Sequence, residues 1–286
     1  MKAQSFSTIL IVLLLQFNSS AQIIPGAKQI ALSHSSIALA HDVFTHFSNP
    51  AGLAQLNWRE IGFYYSPSPF GLKELANAYA AYHEPTKFGS FTIGVMTYGF
   101  DLYRENNFSF SYSNRIYKKF FVAVKIKYYS LSIKNYGNTN ALAFSLSGLF
   151  YLDNNLRAAF SADNISRATY KNYEDQIPTT LIAGFSYDML NNLILNLAYS
   201  QEIDFKASIH AGIDYQPVKY INLRFGFATE PSSFSGGIGI NYSLFELDYA
   251  LFNHQDLGLT HQAGLIIHFT AFDSRLKKIR DYLKIN

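Results

Sequence analysis

From Glu60 to about residue 269, apolar and polar residues alternate with a period of two. The alternation is clearest at 108–113, where single serines separate Phe108, Phe110 and Tyr112. Successive side chains of a β-strand point to opposite faces of the sheet, so this pattern predicts strands with one apolar and one polar face. A sustained helical period occurs only near the C-terminus.

Turn residues divide this region into fourteen segments, and merging one short pair would leave twelve. Most segments are longer than the roughly five or six residues of a globular strand and match the roughly 9–11 residues of a tilted membrane-crossing strand. The predicted strands lie near 60–66, 77–84, 88–100, 104–114, 119–133, 140–152, 155–165, 179–189, 193–203, 206–217, 221–230, 234–242, 244–254 and 258–269.

Loop length and aromatic residues indicate how these strands sit in a membrane. The two longest connections, 67–76 and 166–178, both follow odd-numbered strands, whereas the connections after even-numbered strands include the short ones. Outer-membrane barrels have short periplasmic turns and longer extracellular loops, so both ends of the barrel are predicted to lie on the periplasmic side. Four successive even strands end in an aromatic residue on the apolar face, as expected of an interfacial girdle: Tyr187, Tyr215, Tyr242 and Phe269.

Composition excludes several other classes of protein. Charged residues are 15% and aromatic residues 16% of the chain, yet the mean hydropathy is only +0.01 and no run of about 20 apolar residues occurs. These values exclude a bundle of membrane helices and argue against disorder. The chain has no Cys, and its net charge of +3 includes no basic block within the barrel region, so we expect no thiolate site and no nucleic acid partner.

A soluble β-sandwich or barrel is the alternative, but its interior would have to be filled by large apolar residues. Here the second face carries serine, asparagine, glycine and charges, which a watery lumen tolerates. The predicted fold class is therefore all-β: a transmembrane antiparallel β-barrel of about fourteen strands, spanning 60–269. The expected environment is the outer-membrane lipid bilayer of a Gram-negative bacterium.

The N-terminus predicts an export signal. Lys2 supplies a positive charge, residues 9–15 are uninterruptedly apolar, and Ser19-Ser20-Ala21 provides small residues for cleavage after Ala21. We expect residues 1–21 to be a signal peptide; an uncleaved anchor is the alternative.

Between the signal peptide and the first strand, residues 22–59 do not alternate. Pro50 fixes its own φ and restricts Asn49, while Gly52 allows an unusual dihedral, so this part predicts a defined turn. Irregular backbone is tolerated at membrane depth where a barrel shields it from lipid. We therefore predict that 22–59 forms an N-terminal hatch inside the lumen.

Three motifs of the hatch resemble those of a known group. Gly26-Ala27-x-x-x-Ala31, Ala38-x-Ala40-x-Asp42 and Asn49-Pro50-Ala51-Gly52-Leu53 are similar to the hatch of FadL-like outer-membrane proteins, in particular the PorV/PorQ branch of Bacteroidetes-type bacteria. The resemblance implies a fourteen-stranded barrel whose hatch gates a lumenal or lateral route for apolar molecules. It places five residues in that gate: Asp42, Asn49, Pro50, Ala51 and Gly52. This chain differs in carrying Ser33-His34 where such hatches often have a glycine pair, and His41 where they have a second acidic residue.

Charged residues on the polar face have both signs and form no single-sign ring, which predicts a lumen lined by paired charges. The predicted lumen-facing residues are Lys125, Lys127, Arg157, Asp163, Asp188, Lys206, His210, Asp214, Arg224, Glu246, Asp248 and His268. A selective ion path is the alternative.

The hatch also contains the densest group of potential metal ligands, His34, His41 and His46 with Asp42, but their spacing matches no standard site. His46 and Ser48 resemble the His-x-Ser pair of outer-membrane lipid A deacylases, although they lie in the hatch rather than on a lipid-facing strand edge. We expect no metal, no cofactor and no enzymatic activity.

After the last strand, residues 270–286 form a basic C-terminal periplasmic tail. Leu276, Ile279 and Leu283 follow helical spacing among five basic residues. An amphipathic helix on the anionic inner leaflet, a contact for a periplasmic partner and a frayed, solvated tail are all consistent with this pattern.

The sequence and the resemblance together predict an outer-membrane barrel that binds or passes small hydrophobic molecules. The alternative is a PorV/PorQ-like accessory barrel of type IX protein secretion, with secretion-system components as partners. An outer-membrane lipid hydrolase is the third possibility.

Overall fold

The computed structural model describes residues 24–171, 177–272 and 274–285. The predicted signal peptide, 1–21, lies outside the described residues.

Fourteen antiparallel strands form one closed barrel, which confirms the predicted fold class and strand number. Each strand pairs with the next in sequence, and β1 pairs with β14 from Glu60↔His268 to Tyr65↔Ala263. The strands are β1 (Glu60–Ser66), β2 (Asn77–Thr86), β3 (Gly89–Phe100), β4 (Tyr103–Tyr117), β5 (Phe120–Ile133), β6 (Gly137–Tyr151), β7 (Leu156–Asp163), β8 (Thr180–Leu190), β9 (Leu193–Glu202), β10 (Ser208–Val218), β11 (Ile221–Thr229), β12 (Ser232–Tyr242), β13 (Phe245–His254) and β14 (Gly258–His268).

The two faces of the wall follow the predicted alternation. On β4, Phe108 and Phe110 are 53% and 41% exposed on the outside, whereas Ser109 and Ser111 are 1% exposed inside the barrel. The aromatic residues predicted for the girdle all point outward as well. An outer surface of this kind is unfavourable in water and suits a lipid environment.

The rim at which the chain enters and leaves the barrel, next to Glu60 and His268, is called the lower rim below, and the opposite rim the upper rim. The sequence predicts that the lower rim faces the periplasm.

Short helices lie outside the strand ladder. They are α1 (Ala27–Ala31), α2 (Thr45–Ser48) and α3 (Arg275–Leu283), with 3₁₀ helices at Pro50–Gln55, Pro69–Gly71 and Lys73–Leu75. Within the described residues, no helix combines the length and apolar character needed to cross a membrane.

The hatch lies inside the barrel, and α1 packs on β11 to β14 while the 3₁₀ helix Pro50–Gln55 packs on β3 to β6. Glycines on the inner face of the wall make room for it. A Cβ on Gly226 would lie 2.4 Å from the backbone carbonyl carbon of Leu32, far inside van der Waals contact. Similar close approaches to hatch atoms occur at Gly62, Gly94, Gly184, Gly212 and Gly237.

The wall is interrupted near the upper rim between β6 and β8, because β7 is much shorter than β6. Only six residue pairs join β6 to β7, from Leu146↔Ala162 to Tyr151↔Arg157. Within the described residues, 137–145 of β6 has no strand partner on this side; instead, the amide of Ile165 donates to the Phe144 carbonyl at 2.8 Å. A loop segment therefore replaces part of the strand ladder here.

The position of the barrel in the bilayer can be tested on β10, where two outward-facing isoleucines lie at different depths. Ile213 lies at the centre of the strand and Ile209 near its upper end, and both point outward. We expect Ile213→Arg to cost about 2–4 kcal/mol of folding free energy in lipid vesicles, because a charge at the bilayer midplane loses its hydration. Ile209→Arg is expected to cost about 0–1 kcal/mol. Equal costs in urea titrations would contradict the assigned membrane band.

Candidate functional site: a plugged lumen with an aromatic upper half

The turn at Asn49 organises the hatch. The Asn49 side chain accepts a hydrogen bond from the Ala51 amide at 3.2 Å and caps the 3₁₀ helix that begins with Pro50. Its amide group donates to the Ile37 carbonyl at 2.9 Å. At Gly52, a Cβ would lie 2.2 Å from the Ala40 carbonyl oxygen, so only glycine permits this approach. The motif thus has a structural explanation in the fold of the hatch.

Asp42 joins three parts of the hatch and is buried. It forms an ion pair with Lys28 at 2.7 Å, and it accepts hydrogen bonds from the Gln29 side chain and from the Phe44 amide. Lys28 also contacts Glu246 of β13 at 3.0 Å, so this cluster ties the hatch to the wall.

His46 attaches α2 to β4. Its two ring nitrogens lie 2.7 and 2.9 Å from the hydroxyls of Ser109 and Ser111. Burial, together with nearby Lys125, holds the pKa of His46 well below its usual value, so the ring is neutral. Lys125 in turn donates to the carbonyls of His46 and Phe47 at 3.3 and 3.2 Å. These hydrogen bonds give His46 a role in holding the hatch; within the described residues its ring binds the wall serines and not Ser48.

Most of the other predicted lumenal charges form ion pairs between strands that lie one or two positions apart in the barrel. Lys127 pairs with Asp163, Arg157 with Asp188, and Arg224 with Asp214 and Asp248. Buried charges must be paired, because removing one partner leaves an uncompensated charge in a low-dielectric interior. His210 contacts the Ser33 carbonyl through its Nδ1 at 2.8 Å.

The structure places Lys206 differently from its predicted position in the lumen. β10 begins at Ser208, two residues later than the alternation suggested, and Lys206 is exposed in the loop before it. Residues 206 and 207 continue the apolar–polar alternation but precede the first residue of β10. Without strand hydrogen bonds, the alternation does not determine which way their side chains point.

The C-terminal segment forms a second plug at the lower rim, so of the three alternatives left open for this tail, the frayed and solvated one does not apply to the described part. Arg275 of α3 pairs with Glu246 at 2.7 Å and also with Glu60, while Arg280 pairs with Asp188 at 2.8 Å. The basic residues that suggested a lipid-binding helix therefore include two that bind carboxylates of the barrel.

The apolar side of α3 also faces the protein. Leu276 packs against Leu32 and Leu39 of the hatch, and Ile279 is buried in a cluster that includes Trp58. Trp58, the single tryptophan of the chain, contacts Phe272 in a tilted arrangement with ring centroids 4.9 Å apart. Hatch and C-terminal helix are thus packed together.

A cavity of about 490 Å³ remains at the lower rim beside α3. Ion-paired residues such as Lys28, Arg224 and Glu246 line it together with Asn222 and Asn241. Apolar side chains such as Ile194, Phe245 and Phe272 complete the lining, so the cavity is mixed in character and several buried charges face it.

The upper half of the lumen has a different character. Phe47 lies at the top of the hatch, with its ring 5.2 Å from that of Tyr79, and Tyr79 lies 5.7 Å from Tyr64. Closer to the upper rim, the rings of Phe70 and Phe252 lie 6.3 Å apart. An aromatic wall above a closed floor can hold a small apolar molecule by burying its surface.

The potential metal ligands of the hatch do not converge. His46 lies between the serines of β4, whereas His41 lies near Asp42, and within the described residues no three His, Asp or Glu side chains come together as a metal centre requires.

Several solved structures share this architecture at low sequence identity. The CymD monoaromatic hydrocarbon channel matches with a TM-score of 0.62 at 12% identity, over 88% of this chain and 98% of that one. The fold is that of the FadL-type barrels. A FadL homologue of Pseudomonas aeruginosa matches with a TM-score of 0.58 at 11% identity, over 86% of this chain and 97% of that one.

The toluene transporter TodX of Pseudomonas putida matches with a TM-score of 0.57 at 11% identity, over 87% of this chain and 99% of that one. No protein-family model and no curated protein sequence matches the chain. The PorV/PorQ branch and the type IX secretion alternative are not tested by these comparisons and stay predictions.

The fit between hatch and wall can be tested at Gly226, with the outward-facing Gly236 of the adjacent strand as control. Gly226→Ala is expected to lower the free energy of unfolding by about 1–3 kcal/mol, because the new methyl group must displace the backbone of the hatch. A Cβ on Gly236 would meet no atom within 3.7 Å, so Gly236→Ala is expected to be nearly neutral. Thermal unfolding and limited proteolysis of the hatch measure the difference. Equal stability and protease resistance would contradict the observed contact.

Proposed function

We propose that this protein is an outer-membrane channel that binds small hydrophobic molecules in its upper lumen and passes them across or into the membrane. The observation that carries the proposal is the division of the lumen. Its upper half is lined by Phe47, Tyr64, Tyr79 and Phe252, whereas ion pairs and two packed plugs fill its lower half. The fold shared with hydrocarbon channels supports this proposal.

The interrupted wall supplies a second element of the proposed route. On the inner side of the segment 137–145, Ala141 and Ala143 present small side chains next to Tyr129, Ile177 and Tyr170. A hydrophobic molecule that leaves here reaches lipid without crossing the polar lower half. The segment around Ile165, whose amide binds the Phe144 carbonyl, covers this part of β6. Its displacement would open such a lateral exit.

The proposed binding function can be tested at Phe47, which forms the half-buried floor of the aromatic region. In intact Gram-negative cells that lack their own uptake route, expression of the protein is expected to speed the accumulation of labelled toluene. Phe47→Asp is expected to abolish most of this gain, because a charge at the floor disfavours an apolar ligand. Phe47→Leu, which keeps the floor apolar, is expected to retain it. Uptake that is unaffected by Phe47→Asp would contradict binding at this site.

We further propose that α3 is a lower gate, which can be tested by undocking it in the full-length chain. Ile279 is 1% exposed and packs in the cluster around Trp58, whereas Tyr282 of the same helix is 42% exposed. Ile279→Asp is expected to release the helix, to raise ion conductance in planar bilayers and to shift the emission of Trp58 to longer wavelength. Tyr282→Asp is expected to change neither. If Ile279→Asp shifts the emission without raising the conductance, the hatch alone closes the lumen and α3 is no gate.

A further inference from the structure

One buried carboxylate differs from the others in this protein. Glu105 lies on the inner face of β4 in the upper half of the lumen and is 8% exposed. Every other buried Asp or Glu in the described residues forms an ion pair with a basic residue; these are Asp42, Glu60, Asp188, Asp214, Glu246 and Asp248. Within the same part of the chain, Glu105 forms none. A buried carboxylate without a cation is costly unless it takes up a proton or a ligand supplies the cation.

Tyrosines surround this carboxylate. Tyr103 donates its hydroxyl hydrogen bond to Glu105, and Tyr98 is the cross-strand neighbour of Glu105 on β3. The rings of Tyr98 and Tyr103 are nearly perpendicular, with centroids 6.4 Å apart. Burial and the nearby charge of Glu105 raise the pKa of Tyr170 in the loop after β7. Glu105, Tyr98, Tyr103 and Tyr170 are called the acidic tyrosine pocket.

The pocket lies near the upper rim, where β4 begins. Its neighbours Tyr98, Tyr103 and Asn107 face the lumen and are only half-buried, whereas Glu105 itself is buried. Below the pocket, Tyr79 contacts Phe47, which continues the aromatic surface down to the hatch. Polar recognition at the entrance thus adjoins apolar recognition deeper in the lumen.

We propose that the acidic tyrosine pocket binds the ammonium group of an organic cation whose apolar part occupies the aromatic region below. A cation next to tyrosine ring faces gains from the ring quadrupole, and a carboxylate beside the rings supplies the counter-charge. This proposal rests on the proposed function and narrows its ligand class to aromatic or aliphatic amines and quaternary ammonium compounds.

Two probes of equal shape separate the contribution of charge to binding from that of apolar contact. Phenyltrimethylammonium and tert-butylbenzene differ in one central atom, a quaternary nitrogen against a carbon, and thereby in charge. We expect the purified full-length protein in detergent micelles to bind the cation at least tenfold more tightly than the hydrocarbon, measured by equilibrium dialysis. Glu105→Gln is expected to reduce this preference to about twofold or less while leaving binding of tert-butylbenzene unchanged.

Glu74→Gln is the matched control, since Glu74 is an exposed carboxylate in the loop that follows β1 at the same rim. It is expected to keep the tenfold preference. Heat-modifiable mobility on gels establishes that each variant is folded. If Glu105→Gln does not fold, Tyr98→Leu replaces it, and the preference is then expected to fall severalfold through loss of one ring.

The possible failures are distinguishable. Equal binding of both probes by the unmodified protein, or an unchanged preference in Glu105→Gln, overturns the cation site and leaves the channel proposal intact. Absence of binding for both probes overturns the two proposals together.

Discussion

Closure of the strand ladder is the constraint on which the rest of this structure depends. In hydrocarbon, every backbone amide and carbonyl must find a partner within the protein, and a sheet satisfies this only when its two edges meet. Here they meet through the pairing of β1 with β14. The closed wall forces each strand to present one face to the outside and one to the lumen, and it creates an interior that must then be filled. The hatch, the paired charges and α3 all fill that interior.

The barrel could be predicted almost completely from the sequence, because alternation and turn residues are local signals. All fourteen predicted strands are present with ends within about three residues of the predicted ones, and the outward positions of Tyr187 and Tyr215 follow from the pattern. The contents of the lumen could not be predicted in this way. Lys28 contacts Glu246 across 218 positions of sequence, and no local pattern specifies such a partner. The docking of α3 depends on the same kind of distant pairing, so its basic residues suggested a membrane surface instead.

Glu105 was missed for a related reason. In the sequence it is one more polar residue on the inner face of an alternating strand. That no basic residue pairs with it can be seen only once the positions of the described Lys, Arg and His side chains are known. The hatch offers a second example, because Ser33 and His34 occupy left-handed φ values of 47° and 61°, which glycine adopts more easily. Side chains in this region cost roughly 1–2 kcal/mol each, so the wall contacts of Ser33, including its hydrogen bond to Ser235, help to hold a strained turn.

The position of Arg275 links the two ends of the chain. Its partners are Glu60, at the first residue of the barrel, and Glu246, which also binds Lys28 of the hatch. During biogenesis, the carboxylates of the first and the penultimate strand come together only after β14 has joined β1. Arg275 can therefore settle into its full set of partners only in a barrel whose last seam is sealed. Full docking of the C-terminal helix therefore depends on closure of the wall, and one guanidinium group holds the first strand and the penultimate strand to the same helix.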